Sequence, residues 1–453
     1  MSANNGPPKA MSVSAIRHHL KNNTVILVGS NGLMLVARLV STIILTRILD
    51  PSAFGIIAIL SIVPVVLTLI SDVGFYPYVV RAKGYADRQF LDEVWSLRLV
   101  RSFLTGAAMF ALSSPIAAFV GEPDLSLPLK VTALLPILDG LASMTFATAA
   151  KDGKIFELSL VDVITATVNV TAMIAFSLLL KSFWGIVFGG LVSTTLKTTL
   201  SYLLFKGSQR RWRFSVERMK SIWAFGRFIM PSSMMTLMIG QIDKIIFAPM
   251  LGAAEFGYYG LASNLGAAPN SLTAPYSARI LYPAFSRAQA RNPGNWSADY
   301  YAIGAKPRAA LMVCFGMFIA LPQSIVTALY DDRYFAVIYY LQVLAICSLL
   351  IATINFANDA LIAAGHVRAT LKINTVRLVS LVIFGVSLYY GGGPKAMVAA
   401  LALSLLAAQI FAGFSLAKAN IFNWVQELRL AAFVVLGFGF GWGLNFVLMR
   451  FLS

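Results

Sequence analysis

Residues 54–76 read FGIIAILSIVPVVLTLISDVGFY and contain a single charged side chain, Asp72. A mainly apolar stretch of about 20 residues is long enough for a helix to cross the hydrocarbon core of a bilayer. Runs of this length recur thirteen times, at 24–49, 54–76, 95–120, 126–149, 155–180, 183–205, 222–248, 255–278, 303–329, 335–364, 369–390, 396–417 and 428–449. Short alternating strands, which would indicate a membrane barrel, are not the pattern here. The sequence therefore predicts an all-α polytopic membrane protein with about 12–14 transmembrane helices.

The overall composition supports a membrane protein. Hydrophobic residues make up 58% of the chain and charged residues 12%, about half the charged fraction of a soluble domain. The net charge of +17 is divided among many short loops, so it indicates membrane insertion rather than nucleic-acid binding. With two cysteines, three histidines and no Cys/His cluster, the sequence predicts no metal site and no cofactor.

The loop charges predict an orientation. If the N-terminus is cytoplasmic, the inner segments hold 23 Lys and Arg residues and the outer segments hold 5. Lys and Arg accumulate in cytoplasmic loops during insertion. A wrongly merged or invented helix would reverse the sign of every later loop, so the asymmetry also supports the count of runs as far as Arg429.

An internal repeat relates the two halves of the chain. The segment Arg47-Ile-Leu-Asp-Pro-Ser-Ala-Phe-Gly55 is similar to Pro249-Met-Leu-Gly-Ala-Ala-Glu-Phe-Gly257, at an offset of 202 residues. Tyr76-Pro77 and Tyr282-Pro283 follow at an offset of 206. A basic inner linker follows each copy. Short outer turns can resemble one another by chance, but these three similarities in order favour a true repeat. Six spans separate the copies, so both start from the same side of the membrane and the repeat is parallel.

The repeat predicts two parallel six-helix lobes with substrate bound between them near the middle of the membrane, as in alternating-access transporters. The predicted segments are a cytoplasmic tail (1–23), an N-terminal lobe (24–205), a basic cytoplasmic linker (206–221), a C-terminal lobe (222–417) and an additional terminal helix (418–453).

Two regions resemble bacterial polysaccharide flippases of the multidrug/oligosaccharidyl-lipid/polysaccharide exporter superfamily. One is Thr46-Arg-Ile-Leu-Asp-Pro-Ser-Ala-Phe-Gly55. The other runs from Phe225-Gly-Arg-Phe-Ile-Met-Pro231 through Gln241-Ile-Asp-Lys244 and Leu251-Gly-Ala-Ala-Glu-Phe-Gly-Tyr-Tyr259 to Tyr282-Pro-Ala-Phe-Ser-Arg287. The similarity is clearest over 24–95 and 222–310.

This resemblance implies a function, a location and partners. It implies that an undecaprenyl-pyrophosphate-linked oligosaccharide is moved across the cell inner (cytoplasmic) membrane for exopolysaccharide or O-antigen (lipopolysaccharide) synthesis. The implied partners are this lipid-linked glycan, membrane lipids, a polysaccharide polymerase and a chain-length regulator.

Cations inside the apolar runs are the main candidates for substrate binding, because charge within hydrocarbon is costly and usually functional. The predicted cationic cavity residues are Arg38, Lys244, Lys197, Arg377, Arg98 and Arg101. Such side chains would attract a pyrophosphate group, and Arg could bind its oxygens in bidentate fashion. Alternatives remain open: Arg98, Arg101 and Arg377 lie near the inner ends of their runs, where contact with lipid headgroups is favoured. A salt bridge between helices competes with ligand binding at Lys244.

Polar residues within the runs are candidates for ion coupling or sugar binding. They are Asp139, Asp243, Asp359, Asn264, Asn355 and Asn358. The acids could carry a coupling proton if burial raised their pKa, although pairing with a buried Arg or Lys is slightly favoured. The asparagines could bind sugar hydroxyls or join helices. The aromatic residues Tyr258, Tyr259, Tyr301 and Trp296 are placed like anchors at the membrane interface.

Three other functions compete with this hypothesis. A multidrug or organic-cation exporter of the same superfamily should show an acidic cavity, which is the reverse of the predicted balance. A peptidoglycan-precursor flippase would also have a cationic cavity, and only the resemblance to polysaccharide flippases disfavours this function. A membrane-bound glycosyltransferase or polymerase would need a sizeable catalytic loop, and no loop exceeds about thirty residues. The sequence therefore predicts a transporter rather than an enzyme.

Overall fold

The computed structural model describes residues 13–82, 87–205, 211–291 and 297–452. Parts of the predicted tail (1–12) and linker (206–210), together with Trp296, lie outside the described residues. The helices are α1 Val13–Ile48, α2 Pro51–Ile70, α3 Phe75–Arg81, α4 Arg88–Val120, α5 Ser126–Thr132, α6 Leu134–Leu141, α7 Thr145–Lys151, α8 Ile155–Leu180, α9 Trp184–Leu203, α10 Val216–Phe247, α11 Ala253–Gly266, α12 Ala268–Tyr276, α13 Tyr282–Arg291, α14 Ser297–Ala320, α15 Pro322–Leu329, α16 Val337–Ala363, α17 Val367–Met397, α18 Ala399–Lys418 and α19 Trp424–Leu452. No strand occurs among these described residues.

Eight of the described helices are long and apolar enough to cross a membrane, or up to ten spans if two bent helix pairs are each counted as one. The predicted all-α polytopic fold class is therefore confirmed. The thirteen predicted runs are not all single helices, however. The run 126–149 is divided among α5, α6 and α7, and the run 255–278 is divided between α11 and α12.

The chain forms two compact units. The first comprises Met1–Leu45, Leu67–Ser114 and Ser126–Met234, and the second comprises Thr46–Val66, Pro115–Leu125 and Met235–Ser453. The sequence segment 46–66 thus packs with C-terminal helices, and the units are not the same residue sets as the predicted lobes 24–205 and 222–417. The division into two six-helix lobes stays a prediction.

A break in the run 126–149 shapes the first unit. Residues 142–144 separate α6 from α7, and the axis bends by 52° there. Polar side chains of α9 bind the backbone at this break: Thr198 donates to the Leu138 carbonyl at 2.7 Å, and Tyr202 donates to the Leu141 carbonyl at 2.6 Å. A broken helix is tolerated at membrane depth only when its freed backbone groups are bonded in this way.

The repeated Phe-Gly segments contact each other within the second unit. A methyl group added at Gly55 would lie 1.8 Å from the Ala253 carbonyl oxygen, and one added at Gly257 would lie 2.1 Å from the Pro51 carbonyl oxygen. The contacts are reciprocal, since the offset of 202 residues relates Gly55 to Gly257 and also Pro51 to Ala253. Only glycine lets α2 and α11 approach so closely. We name this contact the glycine crossing.

The terminal helix α19 also packs through glycine. A methyl group at Gly437 would lie 2.1 Å from the Val313 carbonyl oxygen, and one at Gly316 would lie 2.2 Å from the Val434 carbonyl oxygen. Small residues let membrane helices pack closely without a hydrophobic driving force. The predicted additional helix is therefore joined to α14 along its length.

Candidate functional site

A pocket of about 390 Å³ in the first unit collects six charged side chains. Its cations are Arg98 and Arg101 from α4 and Lys197 from α9, and its acids are Asp72, Asp139 and Asp162. We call this the charged pocket. The sequence predicted a mainly cationic cavity, but here three cations face three carboxylates, because helices distant in sequence bring their acids to the same place.

Arg98 is the most strongly bound cation of the charged pocket. Its guanidinium pairs with the Asp139 carboxylate at 2.7 Å and also donates to the Asp139 and Ala142 carbonyls at 2.8 and 3.3 Å. The side chain of Arg98 is 17% exposed and that of Asp139 is 56% exposed. Arg98 therefore binds the broken helix rather than lipid headgroups, and one face of its acidic partner remains open to the pocket.

Arg101, one turn further along α4, binds backbone oxygen atoms. It donates to the Thr68 carbonyl at 2.5 Å and to the Ser71 carbonyl and hydroxyl at 3.2 and 3.1 Å. These groups lie where α2 ends. Carbonyl groups are neutral and do not cancel the charge of a guanidinium, so Arg101 adds positive potential to the pocket.

Lys197 differs from both arginines. Its ammonium lies 5.8 Å from the centre of the Phe146 ring, and within the described residues it has no carboxylate within 4 Å. A cation over an aromatic face is weakly held compared with an ion pair. Lys197 is therefore the pocket cation best placed to accept an anionic ligand.

Three predicted cations do not line the charged pocket. Arg38 is exposed on α1, and Lys244 bonds Gln241 of its own helix at 3.3 Å. Arg377 on α17 is half-buried and interacts electrostatically with Asp243 and Tyr259. The structure thus brings together three of the six predicted cations.

Two of the predicted acids are bound to hydroxyl groups in the second unit. Tyr259 donates a hydrogen bond to Asp243, and Ser277 donates one to Asp359. Tyr259 is fully buried, so its predicted role as an interface anchor is wrong. Its hydroxyl donates a hydrogen bond to Asp243 inside the helix bundle.

The three predicted asparagines lie apart from the charged pocket. Asn264 is exposed on α11, and Asn355 and Asn358 are half-buried on α16. The side-chain oxygen of Asn358 is buried and has no hydrogen-bond partner among the described residues. A buried, unbonded amide oxygen is costly, which makes Asn358 the most conspicuous of the three.

The sequence missed a buried arginine. Arg308 is one of the 23 Lys and Arg residues that the charge count places on the inner side, yet it is 4% exposed and pairs with Glu427 of α19 at 3.5 Å. Its guanidinium lies 4.9 Å from the Tyr300 ring centre. Tyr301 donates to the same glutamate at 2.9 Å. No pattern in the sequence predicted this cluster, because Glu427 lies more than a hundred residues away.

A second polar cluster lies beside the glycine crossing, in a turn predicted to face outward. Arg333 pairs with Asp331 at 2.7 Å and with Asp50 at 3.0 Å, and Tyr334 donates to the Leu49 carbonyl at 2.6 Å. Hydrogen bonding to Arg333 lowers the pKa of the Asp331 carboxyl below its ordinary value. We name these residues the outer cluster; they connect the turn after α15 to the turn between α1 and α2.

The fold is that of known membrane transporters. It resembles the lipid II flippase MurJ in an inward closed conformation with a TM-score of 0.70 over 95% of this chain and 96% of that one, at 10% identity. It also resembles an inward-facing multidrug resistance MATE family transporter with a TM-score of 0.61 over 88% and 95% of the two chains, at 15% identity. The fold therefore defines the class as a polytopic helical membrane protein whose fold is shared with these transporters.

The family follows from the sequence comparisons. A family model described as "Polysaccharide biosynthesis protein" matches residues 44–339, and the chain belongs to this family. It is 23% identical over 363 residues to the lipopolysaccharide biosynthesis protein WzxC of Escherichia coli (strain K12), covering 78% of this chain and 70% of that one. It is 25% identical over 346 residues to an uncharacterized membrane protein in the cps region of Klebsiella pneumoniae, covering 74% and 70%. The resemblance seen in the sequence is confirmed.

Proposed function

We propose that this protein moves an undecaprenyl-pyrophosphate-linked oligosaccharide across the bacterial cytoplasmic membrane by alternating access, for exopolysaccharide or O-antigen synthesis. The observation that carries the proposal is the charged pocket, in which three cations lie inside a helical membrane unit of a polysaccharide biosynthesis protein. The names of the relatives, which refer to lipopolysaccharide biosynthesis and to the cps region, support a glycan substrate.

The pocket suggests how an anionic headgroup would be received. Pyrophosphate would first meet Lys197, which has no carboxylate partner within 4 Å among the described residues, and would then compete with Asp139 for Arg98. Charge-assisted bonds from Arg to phosphate oxygens are shorter and stronger than neutral ones. The displaced Asp139 carboxylate, already half-exposed, would then face the open pocket without its arginine partner. Coupling of transport to protons through Asp139 is part of the proposal.

The outer cluster and the glycine crossing support the alternating-access part. Both join segments that are distant in sequence, on the side predicted to face outward. In the proposed cycle they hold the outer side closed and separate when the cargo leaves. The proposal also includes an inner-membrane location, a cytoplasmic N-terminus and cooperation with a polymerase and a chain-length regulator. They rest on loop charge and on family membership.

A translocation assay in proteoliposomes tests the role of the pocket. Purified protein is reconstituted with a lipid-linked oligosaccharide, and a membrane-impermeant glycosidase measures how much cargo reaches the outer leaflet. Lys197→Gln should slow translocation at least about tenfold, which corresponds to a charge-assisted hydrogen bond, whereas Lys197→Arg should keep most of the rate. The control Lys154→Gln removes an exposed charge outside the pocket. Equal rates for Lys197→Gln and Lys154→Gln would refute the pocket's role.

Two predicted cations outside the pocket need a separate test. If the cationic path extends beyond the charged pocket, Arg38→Ala and Lys244→Ala should reduce surface polysaccharide in cells while the protein still inserts normally. Wild-type surface polysaccharide in both variants would confine the binding role to the pocket residues.

Export of organic cations is the second candidate function, because three carboxylates line the same pocket. Ethidium efflux from cells that express the protein separates the two proposals. Efflux that depends on Asp139 and Asp162, together with no glycan translocation, would favour the cation exporter.

A further inference from the structure

A basic groove of about 440 Å³ lies in the second unit and shares no lining residue with the charged pocket. It forms where α17 begins and α18 ends. His366, Arg368 and Lys372 line one side, and Phe411, Phe414 and Lys418 line the other. We call it the basic groove.

The groove has a positive charge without a matching acid. Its lining contains no carboxylate, and within the described part of the chain Arg368, Lys372 and Lys418 make no ion pair within 4 Å. Arg98, Arg333 and other cations of the described chain do form such pairs. Arg368 and Lys372 are four residues apart, so they lie on one face of α17. Three adjacent uncompensated cations are expected to attract an anion.

The groove lies at the ends of two candidate membrane spans. Both α17 and α18 are long and apolar enough to span a membrane, and the groove lies at the ends of both. The side chain of Phe414 is 69% exposed, and the exposed ring of Trp424 packs edge-on against Phe422 just beyond the end of α18. Exposed aromatic rings at the end of a span are typical of the membrane–water interface.

We propose that the basic groove binds the headgroup phosphate of an anionic glycerophospholipid in the leaflet that faces the predicted cytoplasmic side. Arg368, Lys372 and Lys418 contact the phosphate, and the acyl chains lie along Phe411 and Phe414. The exposed rings favour a lipid over free phosphate, since a soluble anion gains nothing from apolar surface. The site is independent of the proposed transport function, because it lies outside the charged pocket.

Native mass spectrometry of the full chain in detergent tests the proposal. The probes are phosphatidylglycerol, phosphatidylethanolamine, inorganic phosphate and undecaprenyl pyrophosphate, each titrated separately. Phosphatidylglycerol should bind more tightly than phosphatidylethanolamine or inorganic phosphate. Each basic residue near a membrane surface contributes about fivefold in affinity for anionic lipid, so the triple variant Arg368→Gln/Lys372→Gln/Lys418→Gln should lose on the order of 100-fold.

A matched triple variant removes the same charge elsewhere. Lys154→Gln/Arg213→Gln/Lys220→Gln changes three exposed cations on the same predicted side, and it should bind phosphatidylglycerol as the wild type does. Equal losses in the two triple variants would overturn the site, because they would show a general effect of net charge. Tighter binding of inorganic phosphate or undecaprenyl pyrophosphate than of phosphatidylglycerol, lost in the groove variant, would overturn the assignment to a phospholipid. Elution of both variants as the wild-type species on gel filtration excludes misfolding as the cause of a loss.

Discussion

The glycine crossing allows a quantitative test of alternating access. In Gly55→Ala the new methyl group would lie 1.8 Å from the Ala253 carbonyl oxygen, and the helices must separate until this distance exceeds 3.0 Å before the contact becomes tolerable. Such overpacking typically costs about 1–3 kcal/mol. If the crossing forms only in the outer-closed state, this cost shifts the ratio of outer-open to outer-closed molecules by about 5- to 150-fold.

Thiol accessibility measures this shift. Leu49 is 2% exposed and lies beside the crossing, so Leu49→Cys reports opening of the outer side. The measurement uses a Cys314→Ser/Cys347→Ala background and a membrane-impermeant maleimide applied to spheroplasts. Adding Gly55→Ala should accelerate labelling at least about fivefold, which corresponds to the lower limit of the packing cost.

The neighbouring glycine provides the control. A methyl group at Gly252 would meet nothing within 4 Å, so Gly252→Ala should leave labelling unchanged. Gly257→Ala tests the other half of the crossing and should behave like Gly55→Ala, because its methyl group would lie 2.1 Å from a carbonyl oxygen. An unchanged labelling rate in both crossing variants, in protein that inserts normally, would refute the reasoning.

Three further predictions concern the outer cluster, the terminal helix and the charged pocket. Arg333 lowers the pKa of Asp331 in the folded protein, so the stabilisation from this pair is fully present above the ordinary carboxyl pKa of about 4 and is lost as the pH falls through the lowered value. The difference in thermal midpoint between wild type and Asp331→Asn should therefore be constant at neutral pH and narrow below about pH 4. A difference that widens in acid would contradict this. Gly437→Val should destabilise the protein by about 1–3 kcal/mol, measured as a lower thermal midpoint in detergent. The control Gly439→Val, whose side chain meets open space, should leave the midpoint unchanged. Equal midpoints in the two variants would show that close packing of the terminal helix does not contribute to stability. Asp139→Asn removes one negative charge from the pocket. Calorimetry should show an affinity for inorganic pyrophosphate that is about twofold to fivefold higher, the range expected for a partly exposed charge pair. Weaker binding would mean that Asp139 instead positions the cations of the pocket.

The sequence predicted part of the charged pocket but not its balance of charge. Ionisable groups in apolar runs are rare and costly, which makes candidates of Arg98, Arg101, Lys197 and Asp139. That argument identifies residues one at a time. It contains no information about partners, so the pairing of Arg98 with Asp139 across 41 residues was only one of several alternatives.

Helix breaks were equally difficult to foresee. The run 126–149 has the hydropathy of a continuous span, yet α6 ends at Leu141 and α7 begins at Thr145. The break is stable because side chains of other helices, among them those of Thr198 and Tyr202, bond the freed carbonyls. Hydropathy reports the solvent that a segment prefers and does not report bonds from distant helices.

The sequence alone determined the membrane-embedded all-α class, the motif match at an offset of 202 residues and the family resemblance, whereas the orientation stays a prediction. These properties are local or periodic: each depends on the transfer of a segment from water to lipid, or on a short motif that recurs. Only the tertiary structure decided which charges meet, that Gly55 and Gly257 contact the opposite copy of their own motif, and that Arg308 is buried against Glu427. The physical reason is that ion pairs and close backbone contacts depend on distances between segments far apart in the chain, and only the packing of the helices determines those distances.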